Sequence, residues 1–396
     1  MQNQKIKKIL SATQVPVKAI YGWLAFHFFW LRPIEKKVVF SSFSGKRYGD
    51  SPKYISEELY KSSPKTKQTW VYYEKELKGV PKYIKQVKWG SLEMLKELAT
   101  ARVWVDSHYK PTWVFKRKRG QFFIETWHGG LGFKKIGFEV PEKIARGEKA
   151  KIKHTAKIVD LWLSNSDLIS EIFRKGNLYN GEIIKSGLPK TAFLINNEKK
   201  SKTKLRDFYH LGANAKIAVY APTMRDLPTE DDFRMDFDAV LNSLNKRFEG
   251  DWKCIVRLHP VNELNGCYKR IHFNEHILNG STYNDMQELI AGADVYISDY
   301  SSAMFDSGIL RHPTFCFAYD EKKYLNERGL YVSLENTPFP VARSNEELCK
   351  KIMDFDQSVY LERLDEYFNE VGLFEPNDST EIIVEIIVGK LSNETN

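Results

Sequence analysis

His128 stands in the segment TWHGGLGFKKIG, at the end of the apolar run QFFIETW over 121–127. An imidazole at a strand end can take a proton from a hydroxyl near neutral pH. Gly129, Gly130 and Gly132 let backbone N–H groups approach an anion, and Lys134 and Lys135 add positive charge. A structural histidine in a turn is the alternative. Three more loops carry related chemistry. APTMRD over 221–226 places Thr223 and Arg225 at a strand end, and RLHP over 257–260 does the same for Arg257 and His259, both able to donate to a phosphate. SDYSSAMFD over 298–306 gathers Ser298, Asp299, Ser301 and Ser302 where a loop enters a helix, and hydroxyls with open N–H groups there attract anions. Each loop alone is a weak signal. Four at equivalent sheet edges carry more weight.

Several chemistries are excluded. No GxxxxGK[ST] phosphate loop, GxSxG elbow or HExxH pair is present, and GGLGFKKIG has the wrong spacing for a GxGxxG dinucleotide fingerprint. His272 and His276 stand four apart without an acidic or cysteine partner that would suggest a metal, and His27, His108, His154, His210 and His312 carry no special claim. Cys254, Cys267, Cys316 and Cys349 show no paired metal spacing and read as reduced thiols in a cytosolic chain.

The elements that must position these loops follow from hydrophobic pattern. KVVFSSF, TWVYY, RVWVDS, QFFIETW, IVDLWLS, KIAVYAPT, WKCIVRLHP, VYIS and TFCF are short runs rich in β-branched and aromatic residues, as buried strands are. SPKYISEELYK, SLEMLKELATA, SDLISEIFRKG and DFDAVLNSLNKRF read as helices between them, with Ser166 or Asp167 as a cap. Such alternation predicts an α/β protein with parallel sheets covered on both faces. The length of 396 residues suits two doubly wound domains, divided near 186–215. The expected bounds are 36–190 and 191–375. A last apolar helix over 376–396 has Asp378 and Glu381 at capping-box spacing and could cross back to the first domain.

Composition is that of an ordinary globular chain, 42% hydrophobic and 28% charged. The net charge of +9 is concentrated: Lys110 to Lys157 holds thirteen Lys/Arg and four Asp/Glu, with Lys116, Arg117, Lys118 and Arg119 at its centre. The excess favours an anionic partner. No run reaches the roughly 20 apolar residues that span a bilayer. Within residues 1–35 the run AIYGWLAFHFFWL over 19–31 follows Lys5, Lys7, Lys8 and Lys18 and precedes Arg32. RPIEKK offers no signal-peptide cleavage site. The segment is either an amphipathic membrane-associated anchor or a helix packed on its own domain, and the lack of acidic balance favours the anchor.

The chain resembles the CDP-glycerol glycerophosphotransferase family, which builds teichoic acids and some capsules in Gram-positive bacteria. The resemblance rests on SFSGKRYGDSPKYISEEL, VWVDSHYKPTWVFKRKRGQFFIETWHG, SGLPK, YAPTMRD, RLHP, SDYSSAMFD and ERGLYV, in family order from about 37 to 350. It implies two Rossmann-like domains in a glycosyltransferase-B-like fold, with the site between them. By motif, it implies His128 as catalytic base and His259 as a second essential group. Gly129, Gly130, Leu131, Gly132, Lys190, Pro222, Thr223, Arg225, Arg257, Leu258, Ser301, Ser302 and Asp306 would bind the CDP-polyol donor. Arg257 would reach its phosphates, Ser301 and Ser302 its pyrophosphate, and Asp306 its glycerol or ribose side. Lys190 falls where many members have Arg, and TWHGGLGFKK departs from the usual Trp-His-Gly-Thr-Pro-Leu-Lys-Lys.

The implied reaction moves glycerol phosphate from CDP-glycerol to an acceptor hydroxyl and releases CMP. The implied acceptor is an undecaprenyl-diphosphate-linked disaccharide or a growing teichoic acid chain. In size the chain resembles the primase type. No tightly bound cofactor or metal is expected, although Asp299 and Asp306 leave room for stimulation by Mg²⁺. Lys116, Arg117, Lys118, Arg119, Lys134 and Lys135 would face the acceptor or an anionic membrane, placing the enzyme peripherally at the cytoplasmic face. Three alternatives remain: a ribitol-phosphate transferase, a nucleotide-sugar glycosyltransferase of the same fold, and a nucleic-acid binder. The last is disfavoured by the convergent strand-end loops.

Overall fold

The computed structural model describes residues 20–116, 119–225, 235–259, 262, 267–327 and 329–392. Two wholly parallel sheets organise the chain. The first contains β1 (Glu35–Ser41), β2 (Lys67–Tyr72), β3 (Ile84–Lys88), β4 (Ala101–Asp106), β5 (Phe122–Glu125), β6 (Leu161–Ser164) and β7 (Glu182–Lys185), in the order β3-β2-β1-β4-β5-β6-β7. The second contains β8 (Lys216–Tyr220), β9 (Trp252–Val256), β10 (Ile277–Asn279), β11 (Val295–Ser298), β12 (Thr314–Phe317) and β13 (Val341–Ala342), in the order β10-β9-β8-β11-β12-β13. The order reverses between β1 and β4 in one sheet and between β8 and β11 in the other. At such switch points adjacent loops run away from each other and leave a crevice for ligands.

Helices connect the strands. They are α1 (Asp50–Ser62), α2 (Leu92–Thr100), α3 (Arg146–Ile158), α4 (Asp167–Gly176), α5 (Pro189–Phe208), α6 (Phe237–Phe248), α7 (Met286–Ala291), α8 (Ala303–Ile309), α9 (Glu321–Glu327), α10 (Asn345–Met353), α11 (Gln357–Glu370) and α12 (Ser379–Ser392). Their starts follow capping chemistry: the Ser91, Ser166, Asp236 and Ser344 side chains each accept a backbone N–H of the next turn. The central strands are buried on both faces, so Trp70, Trp104 and Trp162 lie fully inside. α5 leads from the first sheet to the second and packs on α7. α12 returns to the first sheet, where Ile383, Val384, Ile387 and Leu391 share a core with Val38, Phe40, Ile55 and Leu59. There the Arg102 Nε–H donates to the Lys390 carbonyl at 2.9 Å.

Residues 20–29 are helical. One face is docked: Ala25 and Phe26 are buried, with the Phe26 ring 6.4 Å from Trp104 and 6.1 Å from Phe115. Gly22 lies so close to the Trp113 carbonyl that a Cβ there would be 2.5 Å from it. The other face leaves Ile20, Trp23, Leu24 and Phe28 exposed, and Leu31 beyond it is 86% exposed. One face of this segment packs on the domain, and the other meets solvent with apolar side chains. Residues 1–19 of the expected anchor lie outside the described residues. Among the described residues no helix is long and apolar enough to cross a membrane.

Candidate functional site

The loops at the carboxyl ends of the two sheets meet. β4 and β5 are neighbours, with Asp106 opposite Glu125, so the residues that follow them, 107–110 and 126–128, are brought side by side. The Thr126 N–H bonds the Asp106 carbonyl at 2.8 Å. Trp127 has φ +55°, a left-handed conformation that a bulky residue holds only under tertiary constraint. Its ring supplies the constraint, buried 5.0 Å from Tyr109 and 6.1 Å from Trp162. The turn delivers His128, whose Nδ1 lies 3.1 Å from the Ser107 carbonyl. A carbonyl only accepts, so Nδ1 carries the proton and Nε2 is the basic nitrogen.

Burial lowers the His128 pKa to about 4, opposed by the Ser107 hydrogen bond and helped by Lys190 and Lys134. The imidazole is therefore neutral at physiological pH. The strand ends that carry these loops hold the buried Asp106–Lys110 ion pair and the buried Glu125 carboxyl. Burial, then the Asp106 charge, pushes Glu125 well up; its Oε1 accepts the Trp127 N–H at 3.1 Å.

The glycines carry the loop across to the second sheet. A Cβ on Gly129 would sit 3.5 Å from Ser302 Oγ, and one on Gly132 would sit 3.6 Å from Ser302 Cβ. Gly130 is confined from the first sheet, where a Cβ would be 2.5 Å from Asn165 Nδ2. Leu131 is buried, and Phe133 is buried with its ring 4.9 Å from Phe305 and 6.4 Å from Phe339 of the second domain. The next residues pair with the ERGLYV segment: the Lys135 N–H donates to the Gly329 carbonyl at 2.9 Å, and the Tyr331 N–H to the Phe133 carbonyl at 2.7 Å. Lys134 lies 5.5 Å from the Tyr324 ring, and Lys135 is exposed.

The second domain contributes Ser301 and Ser302 before α8. Ser302 makes no capping hydrogen bond. Arg257 is buried, and its Nη1 donates to the carbonyls of Gly280 at 2.5 Å and Tyr283 at 2.7 Å, which fixes the guanidinium after β9. His259 stands at the exposed rim. Partial burial, followed by Arg47, Lys134, Lys46 and Arg257, lowers its pKa to about 4. Pro222 and Thr223 are buried after β8.

Lys190 and Asp306, read separately as donor contacts, form one buried ion pair between the domains, with Nζ 2.7 Å from Oδ2. Asp50 is buried in the same cluster. Burial raises its pKa to about 6, against the pull of Lys190. A second clasp joins α1 to the start of α7: Lys53 Nζ lies 2.5 Å from Asp285 Oδ2, and the Tyr54 hydroxyl donates to the same carboxylate at 3.1 Å.

Three residues are reassigned. Arg225 has no donor left for a ligand. Its Nε and Nη2 bind Asp320 at 2.7 and 2.9 Å, Nη2 also binds Asp299 at 2.8 Å, and Nη1 binds the Thr223 carbonyl and hydroxyl at 3.0 and 2.7 Å. It is the pin of the 221–225 loop, surrounded by the Tyr300, Tyr319 and Tyr324 rings. Leu258 faces the core, and its N–H is taken by the Tyr268 hydroxyl at 3.0 Å, so its side chain serves packing. Lys116 is not part of an open basic patch; it is paired with Asp160 and its side chain is 8% exposed. Arg119 is exposed, and Arg117 and Lys118 lie outside the described residues. The exposed basic surface lies on α3 instead, at Arg146, Lys151, Lys153 and Lys157. Of the carboxylates set aside for Mg²⁺, Asp299 faces Arg225 and Asp306 faces Lys190.

Sequence reasoning passed over His108. Its ring centroid is 5.4 Å from that of His128, and its Nδ1 is buried without a hydrogen-bond partner. Burial, then His128, lowers its pKa to about 3. Phe43, Lys46 and Arg47 of the loop after β1 were also unassigned, and the Phe43 ring lies 5.8 Å from His128. The adjacency of β1, β4 and β5 is the signal that could have found them.

Comparison with known proteins identifies a family. The family model of CDP-Glycerol:Poly(glycerophosphate) glycerophosphotransferase matches residues 24–389. The chain is 30% identical over 366 residues to a teichoic acid poly(glycerol phosphate) polymerase of Staphylococcus epidermidis, a match covering 89% of this chain and 50% of that protein. It therefore spans about half the length of that relative. Against the enzyme of the same name from Bacillus spizizenii it is 28% identical, covering 90% of this chain and 92% of the other. Among solved structures, a form of the wall teichoic acid polymerase TagF with CDPG superposes with a TM-score of 0.82 at 27% identity, covering 99% of this chain and 98% of that one.

Proposed function

Because the chain belongs to the CDP-glycerol glycerophosphotransferase family, we propose that it transfers glycerol phosphate from CDP-glycerol to a hydroxyl of a lipid-linked teichoic acid intermediate and releases CMP. The observation that carries this reading is His128, held by Ser107 with Nε2 as its base, on a glycine loop pressed against Ser302. Nε2 takes the proton of the acceptor hydroxyl. The oxygen attacks the β-phosphorus of the donor, the bond to the CMP oxygen breaks, and CMP leaves with the pair of electrons. Arg257, His259 and the Ser301–Ser302 turn neutralise the diphosphate, and Lys190 with Asp306 holds the domains around the polyol. Phosphoryl transfer depends on such positioning and charge neutralisation more than on covalent chemistry. A diphosphate in the cleft raises the His128 pKa from about 4 towards neutrality, which makes a better base when the donor is bound.

The experiment is CMP release by the purified protein with CDP-glycerol and CDP-ribitol in parallel, on a short-chain lipid-linked disaccharide. A general base contributes ~10²–10⁴-fold, so His128→Ala lowers kcat by about that factor and leaves donor affinity within a few-fold. A His128→Ala enzyme of near-normal rate removes His128 from the role. Product length distinguishes a single addition from polymerisation.

The same reading puts the enzyme at the cytoplasmic membrane face, held peripherally. Its support is the exposed apolar face of residues 20–31 together with the lysines of α3. Apolar side chains enter the headgroup region while lysines meet anionic lipid. Sedimentation with anionic liposomes tests this. Joint replacement of Trp23, Phe28 and Leu31 by Ser should reduce binding at least tenfold. If binding survives both that change and replacement of Lys151, Lys153 and Lys157 by Gln, the assignment fails.

A further inference from the structure

The loop after β1 is built in a way that packing alone does not require. Phe43, Ser44 and Gly45 take φ of +47°, +57° and +82° in succession. At Gly45 a Cβ would lie 3.0 Å from the Val71 carbonyl, so only glycine fits there. Hydrogen bonds lock the turn. The Gly45 N–H donates to the Ser42 carbonyl at 2.9 Å, the Tyr73 N–H to the Gly45 carbonyl at 2.8 Å, and the Phe43 N–H to the Ser107 hydroxyl at 3.2 Å. Strained backbone over-determined by its surroundings is typical of functional sites. This one ends in Lys46, which is exposed 6.0 Å from the Tyr73 ring, and Arg47, which is half-buried.

Lys46 acts electrostatically on both His108 and His259; Arg47 acts on His259, and Lys151 of α3 acts on His108. No carboxylate is among the main groups acting on His108, His128 or His259. The first-domain wall beside His128 is thus cationic, and it holds an imidazole whose buried Nδ1 lacks a partner. The groups assigned to the donor phosphates, Arg257, His259, Ser301 and Ser302, belong to the second domain.

We propose that Lys46, Arg47, His108 and Lys151 form an anion subsite for the acceptor, taking a phosphate ester one polyol unit removed from the attacking hydroxyl. The proposal rests on the transferase reading and adds which residues position the acceptor. In an extended glycerol phosphate the terminal hydroxyl and the phosphorus are about 6 Å apart, and the wall begins directly beside the base: the Phe43 N–H is bound to the Ser107 hydroxyl, and the Ser107 carbonyl holds His128. A hydroxyl at His128 therefore leaves its neighbouring phosphate within reach of this wall. The phosphate could be a diester of a growing chain or the diphosphate of a lipid carrier, and both present the same oxyanion.

The test measures binding apart from turnover. A fluorescent tri(glycerol phosphate) and a short-chain diphosphate-linked disaccharide are titrated by anisotropy against the full chain, Lys46→Gln/Arg47→Gln and Lys151→Gln. CDP-glycerol is titrated by calorimetry. Charge-assisted contacts to phosphate are strong, so each lost contact weakens the acceptor about tenfold and lowers the salt dependence by about one charge. The expected result is a fall of about 100-fold for the double variant and up to tenfold for Lys151→Gln, with CDP-glycerol affinity within twofold for Lys151→Gln, since Lys151 is not among the main groups acting on His259. The probe that loses affinity identifies the phosphate, and a loss with both supports the shared chemistry. Lys151→Gln, on the exposed face of α3, keeps the test independent of any disturbance to the 42–49 loop. Unchanged binding of both probes, or a parallel loss of CDP-glycerol with Lys151→Gln, overturns the subsite. CMP release by the unaltered chain reports separately on the transferase reading.

Discussion

Replacing Lys190 by Met removes the cation from a buried seam that holds at least two carboxylates, Asp306 at 2.7 Å and Asp50 beside it. At that distance and an effective dielectric of about 20, the gross attraction to Asp306 is about 6 kcal/mol. Much of it offsets the desolvation of both ions, and truncating one partner of such a pair typically costs about 3–5 kcal/mol. A second route limits the loss. The stranded carboxylate can take up a proton, which from an ordinary aspartate value near 3.9 costs about 4 kcal/mol at pH 7 but only about 1.5 kcal/mol at pH 5. Lys190→Met is therefore expected to destabilise by about 3–4 kcal/mol at pH 7 and about half that at pH 5. Lys190→Met/Asp306→Asn should recover more than half of the loss at pH 7. Urea unfolding of the three proteins at both pH values measures this. A loss under 1 kcal/mol, or one of equal size at pH 5 and 7, would refute the account of the seam as a charge-compensated contact.

Two further outcomes follow from the site. Arg225→Lys should destabilise by at least about 2 kcal/mol, because an ammonium cannot reproduce a five-donor fork between two buried carboxylates; near wild-type urea midpoints would reject its assignment as the pin of the 221–225 loop. His128 binds its proton more weakly folded, at about 4, than unfolded, at about 6.5. It therefore contributes nothing to the pH dependence of stability above pH 6.5, and up to about 3 kcal/mol is lost as pH falls from 6.5 to 4. His128→Gln should flatten that part of the stability–pH curve, and an unchanged curve would show that the folded imidazole titrates normally.

How far the sequence carried depended on whether a signal was local. Central strands such as β1, β4, β8 and β11 announce themselves as continuous apolar runs. β3, β7, β10 and β13 were not read, because they are short or polar. β3, IKQVK at a sheet edge, buries only Ile84 and Val87 among polar residues, and β7, EIIK, has charged ends. The His128 loop was legible because its glycines, lysines and histidine fall within eight residues. Arg225 was misread because an arginine after a strand looks the same whether it faces a phosphate or Asp299 and Asp320, which lie 74 and 95 residues away. Lys116 was misread for the same reason, since its partner Asp160 lies 44 residues on. His108 carried no local mark; only the pairing of β4 with β5 brings it to His128.

The seat of Phe133 gives the enzyme a leash. Trp127 is rooted in the first domain and Phe133 in the second, and the chain between them, fully stretched, reaches about 20 Å. Hinge opening beyond that reach must pull the phenyl ring out from beside Phe305 and Phe339. Each excursion of the hinge also tugs on His128, so the gape of the mouth and the seat of that imidazole are set by one length of chain.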